Sequence, residues 1–563
     1  MNNIGKNRNL DRTLKTVLFI TMILFFAAFL AYPLFSVLKG AFLSNNNINF
    51  TNFKEVFSSD SIWIAFKNSI LTSLVSSIIT TLVALTISIG INFTNINKHI
   101  KKIIEMFLVL PMLLPTITYG FAIMYTFGRQ GIVTKLFGQP LFNIYGLGGI
   151  MLGYFIYTLP VSFILLNNGM KYIDKRYSLV STLLYDGGFK NFCISILSPL
   201  RFTIIISIIQ SFFLSFTDFG IPASLGGRTE LIAKSLYEQM MGSVPDFNKG
   251  AVIALMMMLP SILSVVAITL FRDKNVSENI SENLYIRKNS LRDILILIVS
   301  FLTVLLIFAI FAGIIFIPLA RDYPYNLRIS TYHIQQVLKD NELVGAFTNS
   351  IVVAFFASVF GCIISYIGAL FTTRKANINK SSNIINFMAS IINTVPGMVL
   401  GIAYLIAFSG TAIHNTLFIV IICDIVHYFS TPYLMFKDSL AKLNQNWETT
   451  SDLLGDSWFK SIRKILIPNS MSTIVEVFAY YFVNNMVTVS AVIFITGAKT
   501  MVITAKIKEL QYFMRFNDIF VVSTMILITN IIVKFITNKI KNKRRNWNEK
   551  EKCFNYFNRC ATI

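Results

Sequence analysis

Charge is scarce in this chain of 563 residues. Asp, Glu, Lys and Arg make up 13% of it, against a hydrophobic share of 54%, whereas a soluble globular chain carries about 25% charged residues. That shortage excludes an ordinary soluble domain. Cysteine is scarce too: the five, Cys193, Cys362, Cys423, Cys553 and Cys560, include no CxxC pair, and the four histidines are scattered. Neither zinc nor redox chemistry is indicated. A phosphate-cradling GxxxxGK[ST] loop is missing. The nearest stretch, Gly226-Gly227-Arg228 to Lys234-Ser235, lacks the second glycine before its lysine. No clustered acid–base or metal set marks a membrane enzyme either.

What the chain has in quantity is long apolar runs, many near the ~20 residues that cross a bilayer. A β-barrel would show roughly ten-residue alternating segments instead. The runs predict an all-α polytopic membrane protein with about twelve transmembrane helices. They fall at 16–38, 66–93, 103–127, 146–168, 201–223, 249–271, 292–320, 347–373, 386–408, 415–436, 471–495 and 516–538. The N-terminus is basic (Lys6, Arg8, Arg12, Lys15) and leads into an apolar run too long for a signal-peptide core, so a retained first span is expected.

The net charge of +22 clusters between and beyond the spans. That suits loops facing anionic membrane lipid and not nucleic acid. Loops 94–102, 169–200 and 374–380 and the tail after 538 are basic, whereas loops 40–65, 224–248 and 321–346 are nearly balanced. The positive-inside rule then places both termini in the cytoplasm. Loop 499–515 disagrees, with Lys499, Lys506, Lys508 and Arg515 on what should be the outer side.

The chain repeats itself. Phe66-Lys67-Asn68-Ser69-Ile70 is answered 281 residues later by Phe347-Thr348-Asn349-Ser350-Ile351, and Val56, Pro115 and Gly120 are answered by Val337, Pro396 and Gly401 at the same offset. Two parallel repeats follow, each a five-helix core plus one extra helix, related by a pseudo-twofold along the membrane normal. The expected organisation is a first half at 1–271 (core about 66–271) and a cytoplasmic linker at 272–291. A second half at 292–538 (core about 347–538) and a basic cytoplasmic tail at 539–563 complete it.

Between the fourth and fifth helix of each core lies a polar segment with a glycine and a closing proline. In the second half Glu448 opens a helix-compatible run, Gly455 interrupts it, Asp456 and Ser457 follow, and Pro468 ends it. Glycine permits a sharp turn, Asp and Ser are good N-caps, and proline fits the first turn of a helix. Trp458, Phe459, Ile462, Ile465 and Leu466 recur at helical spacing among Lys460, Arg463 and Lys464. The pattern predicts two helices at an angle along the membrane surface, with an exposed tip. The first half has Asp186, Gly187, Gly188 and Pro199 in this place, with either Gly187 or Gly188 as the turn. A plain interfacial amphipathic helix would explain one copy. Two copies at matching positions favour a docking element.

At these residues the chain resembles the permease subunits of binding-protein-dependent ABC importers, the MetI-like superfamily. Their EAA loop has a central glycine and ends in I-x-L-P. Gly455, Ile465 and Pro468 match, Ile467 stands for the leucine, and the Glu-Ala-Ala opening is degenerate. The fused layout is similar to the iron(III), thiamine and 2-aminoethylphosphonate permeases, and Phe216-Thr217-Asp218-Phe219-Gly220-Ile221-Pro222 is similar to the phosphonate-type members in particular. The resemblance implies a transport subunit of the bacterial plasma membrane that is not itself an enzyme. Its loops would dock on two separate ABC ATPase subunits carrying ATP and Mg, and an extracytoplasmic substrate-binding protein would deliver the solute. The chain itself would bind no cofactor.

Polar residues inside the spans suggest function by default. Asp218 precedes a Gly and a Pro that break the helix, and an anionic substrate would fit poorly beside it. Asp424 lies near the bilayer midplane, one turn from His427. Asp218, Asp424 and the repeat-related Pro115 and Pro396 are the candidate pathway residues. The competing reading is an ion-coupled secondary transporter with two six-helix halves. It would need midplane carboxylates, and only Asp424 qualifies.

Overall fold

In the computed structural model of the chain, residues 2–44, 47–48, 50–171, 173, 190, 192–227, 229–272, 290–374 and 381–560 are described. Nearly all of them are helical. Eight helices are long and apolar enough to cross a membrane, or up to eleven if each of three bent helix pairs forms one span. The chain is thus an all-α polytopic membrane protein. The expected span at 471–495 falls outside that set. Its α-helix ends at Val487, with only a short 3-10 turn at Val492–Phe494 beyond, and Glu476, Asn484 and Asn485 dilute its apolar run. Among the described residues the only strands are two short hairpins, such as Ala320–Asp322 with Asn326–Ile329.

Small hydroxyl residues explain how the spans pack. The helix Asp60–Phe93 buries Ser69, Thr72, Ser73, Ser76, Ser77, Thr80, Thr81 and Ser88. Small side chains let helix backbones approach closely where no hydrophobic effect drives association. Their hydroxyls bond to the preceding turn or across the interface. Thr72 donates to the Asn68 carbonyl at 2.7 Å, and Ser162 meets Ser211 at 2.6 Å.

The repeated residues occupy equivalent places. Pro115 and Pro396 are each the residue before a new helix, with φ/ψ of −61°/142° and −58°/145°. Proline cannot donate a backbone hydrogen bond and clashes with the preceding turn, so each helix breaks there. The two bends measure 113° and 103°. Gly120 and Gly401 follow the bends. A Cβ on Gly120 would lie 1.7 Å from Ser224 Oγ, and one on Gly401 would lie 2.3 Å from the Ala491 carbonyl. Both glycines therefore permit close backbone contact. The Asn-Ser pair also has a matching role in each copy. Asn68 donates to the Glu230 carbonyl and Ser69 accepts the Ile232 N–H. Asn349 donates to the Met501 carbonyl and Ser350 accepts the Ile503 N–H. Each pair pins the start of a short helix, Ile232–Met241 or Ile503–Tyr512.

The extra helices are exchanged. The N-terminal helical segment, bulged at Ala27–Ala31, packs on the second repeat. Phe26 meets Phe429 at 4.7 Å between centroids, and Tyr404 donates to the Phe29 carbonyl. A π-bulge leaves carbonyls without an ordinary helical donor, and Tyr404 supplies one. The helix Ser290–Phe316 packs on the first repeat, with Phe308 against Phe107 and Phe311 against Tyr119.

The exceptional loop 499–515 is electrically compensated. Lys506 pairs with Glu342 at 2.9 Å and Glu509 at 2.7 Å. Arg515 pairs with Asp340 at 2.9 Å and Asp518 at 2.6 Å. Glu509 lies in the same segment, and the other acids come from neighbouring helix starts.

Candidate functional site

The segment around Gly455 is a fixed turn at one end of the helix bundle. The helix Asn446–Leu453 ends there. Gly455 has φ +80°, a left-handed conformation that costs glycine nothing. Its N–H donates to the Asp452 carbonyl at 3.2 Å, and the Asp456 N–H donates to the Ser451 carbonyl at 3.1 Å. That pair of bonds is a Schellman closure, which satisfies carbonyls left open at the helix end. Ser457 then accepts the Lys460 N–H as an N-cap. Asp456 pairs with Lys460, whose hydrogen bond holds the Asp456 carboxyl below its ordinary value. Ser451 joins Ser461 at 2.7 Å across the turn.

One expectation is corrected. The run after the turn is not a separate surface helix. Trp458–Ser461 continues through a π-turn, Ile462–Leu466, straight into Ile467–Val487. Pro468 stands in the first turn of that last stretch. The amphipathic residues are the end of a long helix, and only Asn446–Leu453 lies apart. The first copy has the same ending, with a π-turn at Cys193–Leu197 and Pro199 in the first turn of Ser198–Thr217. Asp186, Gly187 and Gly188 lie outside the described residues.

The tip is apolar and open. Leu453 and Leu454 are 83% and 77% exposed, and Phe459 is exposed beside them. The tip is nevertheless tied to the core through Arg374, a buried residue at the end of the helix Asn341–Thr373. Arg374 donates to the Leu440 and Leu443 carbonyls at 2.6 and 3.1 Å. It also forms an ion pair with Glu448 at 3.1 Å. The ion pair lacks hydrogen-bond alignment. Burial raises the Glu448 carboxyl above its ordinary value, and the Arg374 charge only partly offsets this. Sequence reasoning counted Arg374 merely as a basic loop residue.

A cavity of about 430 Å³ lies between the two repeats. Both bends line it, through Thr116 beside Pro115 and through Pro396 itself. Asp218, Gln210, His427 and Asn484 face it, as do three tyrosines that sequence reasoning missed: Tyr157, Tyr428 and Tyr480. Among the described residues no lysine or arginine lines it. Tyrosines inside apolar runs carry no periodic signature, so only the fold could gather them. Asp218 also has a structural task. Its carboxylate accepts the Ile221 N–H at 2.9 Å, one of the donors left open at the start of the helix Gly220–Leu225. Asp424 does not line the cavity. It is buried in the helix Leu417–Tyr428, and neither oxygen has a hydrogen-bond partner among the described residues. His427, three residues on, does line the cavity. Glu476 lies outside it as well and pairs with Lys541. Among the described residues no group of three or more His, Cys, Asp or Glu could hold a metal ion.

Comparison with known proteins bears on this arrangement. The chain is 26% identical over 423 residues to the ferric transport system permease protein FbpB of Actinobacillus pleuropneumoniae; the match covers 72% of this chain and 60% of that protein. It is 25% identical over 506 residues to a protein assigned as ferric transport system permease FbpB 1 in Haemophilus influenzae, covering 86% of this chain and 78% of that one. The chain thus spans less than two thirds of the first relative's length. Residues 366–546, which include the Gly455 turn, match the family of binding-protein-dependent transport system inner membrane components. Through those residues the chain carries the MetI-like permease domain of binding-protein-dependent ABC transport systems.

Proposed function

We propose that this chain is the permease of an ATP-driven importer and that the Gly455 turn is where an ATPase subunit docks. One observation carries the reading: an exposed apolar tip, Leu453-Leu454 with Phe459, stands on a rigid turn that Arg374 fastens to the membrane core. Exposed apolar residues on a polar surface mark interaction sites, and a rigid mount transmits force where a flexible loop would absorb it. With two repeats in one chain, two ATPase subunits are expected to bind, carrying ATP and Mg themselves. An extracytoplasmic binding protein would load the opposite end. The turn and both termini would then face the cytoplasm, as the basic loops and tail favour, with loop 499–515 as the exception.

The substrate proposed is a cation, with iron(III) first because both relatives bear ferric transport names. The cavity supports this choice. It offers a carboxylate, three tyrosines and an imidazole, and no lysine or arginine among the described residues. A phosphonate would meet Asp218 with no cation to offset it. The chemistry would be passage and not turnover, so no catalytic residue is assigned.

The test is a photo-crosslinking residue in place of Leu454, irradiated in native membranes. Capture of an ATPase subunit is expected. Capture of lipid alone, with the ATPase expressed, would refute docking at this turn and favour an ion-coupled transporter.

A further inference from the structure

The N-terminal helix reaches the turn of the other repeat. Asp11 Oδ2 accepts the backbone N–H of Trp458 at 2.9 Å. Lys15 Nζ stands 5.2 Å from the centroid of the same indole and lies within electrostatic range of Glu448. Phe19 meets Phe371 at 5.6 Å, and Phe371 meets Trp458 at 6.4 Å. Asp11, Lys15 and Phe19 follow one another at four-residue spacing, so they share one helix face. Each chemical match is specific. Trp458 opens a helix, so its N–H has no partner within that helix, and Asp11 supplies one. The indole offers a π face to the Lys15 ammonium.

The turn is therefore held from both sides. Arg374 fastens the helix that enters it, Asn446–Leu453, to the second repeat's own core. Asp11 and Lys15 fasten the start of the helix that leaves it to a segment at the beginning of the chain.

We infer that Asp11 and Lys15 are positioning residues which tie the second docking turn to the N-terminal helix, so that a pull on the turn moves that helix with it. This rests on the proposed function of the turn. Neither residue is exposed at the apolar tip, so they act on transmission and not on capture of the ATPase.

The test uses the full chain reconstituted with its ATPase subunits and binding protein in liposomes, loaded with iron(III) as the probe. Uptake and ATP hydrolysis are read from the same vesicles. In Asp11→Ala, uptake per ATP hydrolysed falls about fivefold, the loss expected from one net hydrogen bond. The ATPase still co-purifies in full. Asp11→Asn keeps an acceptor oxygen and restores most of the ratio. Lys15→Ala lowers the ratio and Lys15→Arg restores it, which keeps the test alive if Asp11→Ala does not accumulate. An unchanged ratio in both alanine variants overturns the inference, and so does a loss of ATPase co-purification. Failure of the underlying reading looks different: the unaltered chain would then show no ATP-driven uptake at all.

Discussion

Replacing Gly455 isolates the backbone of the turn from everything around it. A Cβ built on Gly455 meets no atom within 4 Å, so an alanine there clashes with nothing. Its cost is conformational alone. At φ +80° an L-residue is disfavoured by about 1–2 kcal/mol. That lowers the population of the closed turn about five- to thirtyfold. Asparagine tolerates the left-handed region better than alanine, and a β-branched side chain tolerates it worse. Uptake by the reconstituted transporter, and co-purification of its ATPase, are therefore expected to rank Gly455 above Gly455→Asn, then Gly455→Ala, then Gly455→Val. The ranking is the test. If alanine, asparagine and valine behaved alike, the left-handed turn would not be what matters there. If all three matched glycine, the turn would not be the docking element.

Three further outcomes are expected. Arg374→Ala leaves two carbonyls and a half-buried carboxylate without their partner, a loss of about 3–5 kcal/mol for a buried ion pair; hydrogen exchange should accelerate across 440–456, and Glu448→Gln should cost less because burial already disfavours its charge. Asp340 feels a raising effect from burial, but the Arg515 hydrogen bond and two backbone N–H groups outweigh it and hold its carboxyl below the ordinary value. A lowered carboxyl stabilises above its unfolded pKa, and that contribution fades as pH falls through the folded one. Protection at the start of Asn341–Thr373 should thus weaken only below about pH 4, and Asp340→Asn should abolish that dependence. At Asp218, Asn keeps an acceptor for the Ile221 N–H while Ala removes it; if uptake falls equally in both, the negative charge is what matters, and if only Ala is impaired, that hydrogen bond is.

The parts of the fold legible in the sequence are those set by neighbouring residues. Proline at the same place in both copies of a repeat singles out Pro115 and Pro396 as the bends, whereas Pro160 and Pro260 sit inside continuous helices. A glycine between a helical run and an Asp-Ser pair announces the turn at 455. The offset of 281 announces the repeat, although only the structure explains its Asn-Ser pair, which pins a segment more than 150 residues away. What stays hidden depends on distant partners. Arg374 looks like any loop cation until the Leu440 carbonyl is beside it. Nothing local says that Lys506 will meet Glu342. The π-turn before Pro468 was illegible too. Proline in a first helical turn usually signals a start, whereas here the helix runs on through it.

The exchange of the extra helices has a consequence for how the chain is made. A Cβ at Gly90 would lie 2.5 Å from Ile296, and one at Gly313 would lie 2.8 Å from Thr126, so the surface bearing Gly90 and Thr126 is shaped for a helix that the ribosome supplies some 200 residues after Gly90. The N-terminal helix waits longer still, because its partner Tyr404 follows Phe29 by 375 residues and Phe429 comes later again. Neither repeat can finish packing on its own. Packing in the membrane is therefore a joint event of both repeats, and a truncated first repeat would keep an unfilled seam along its helices.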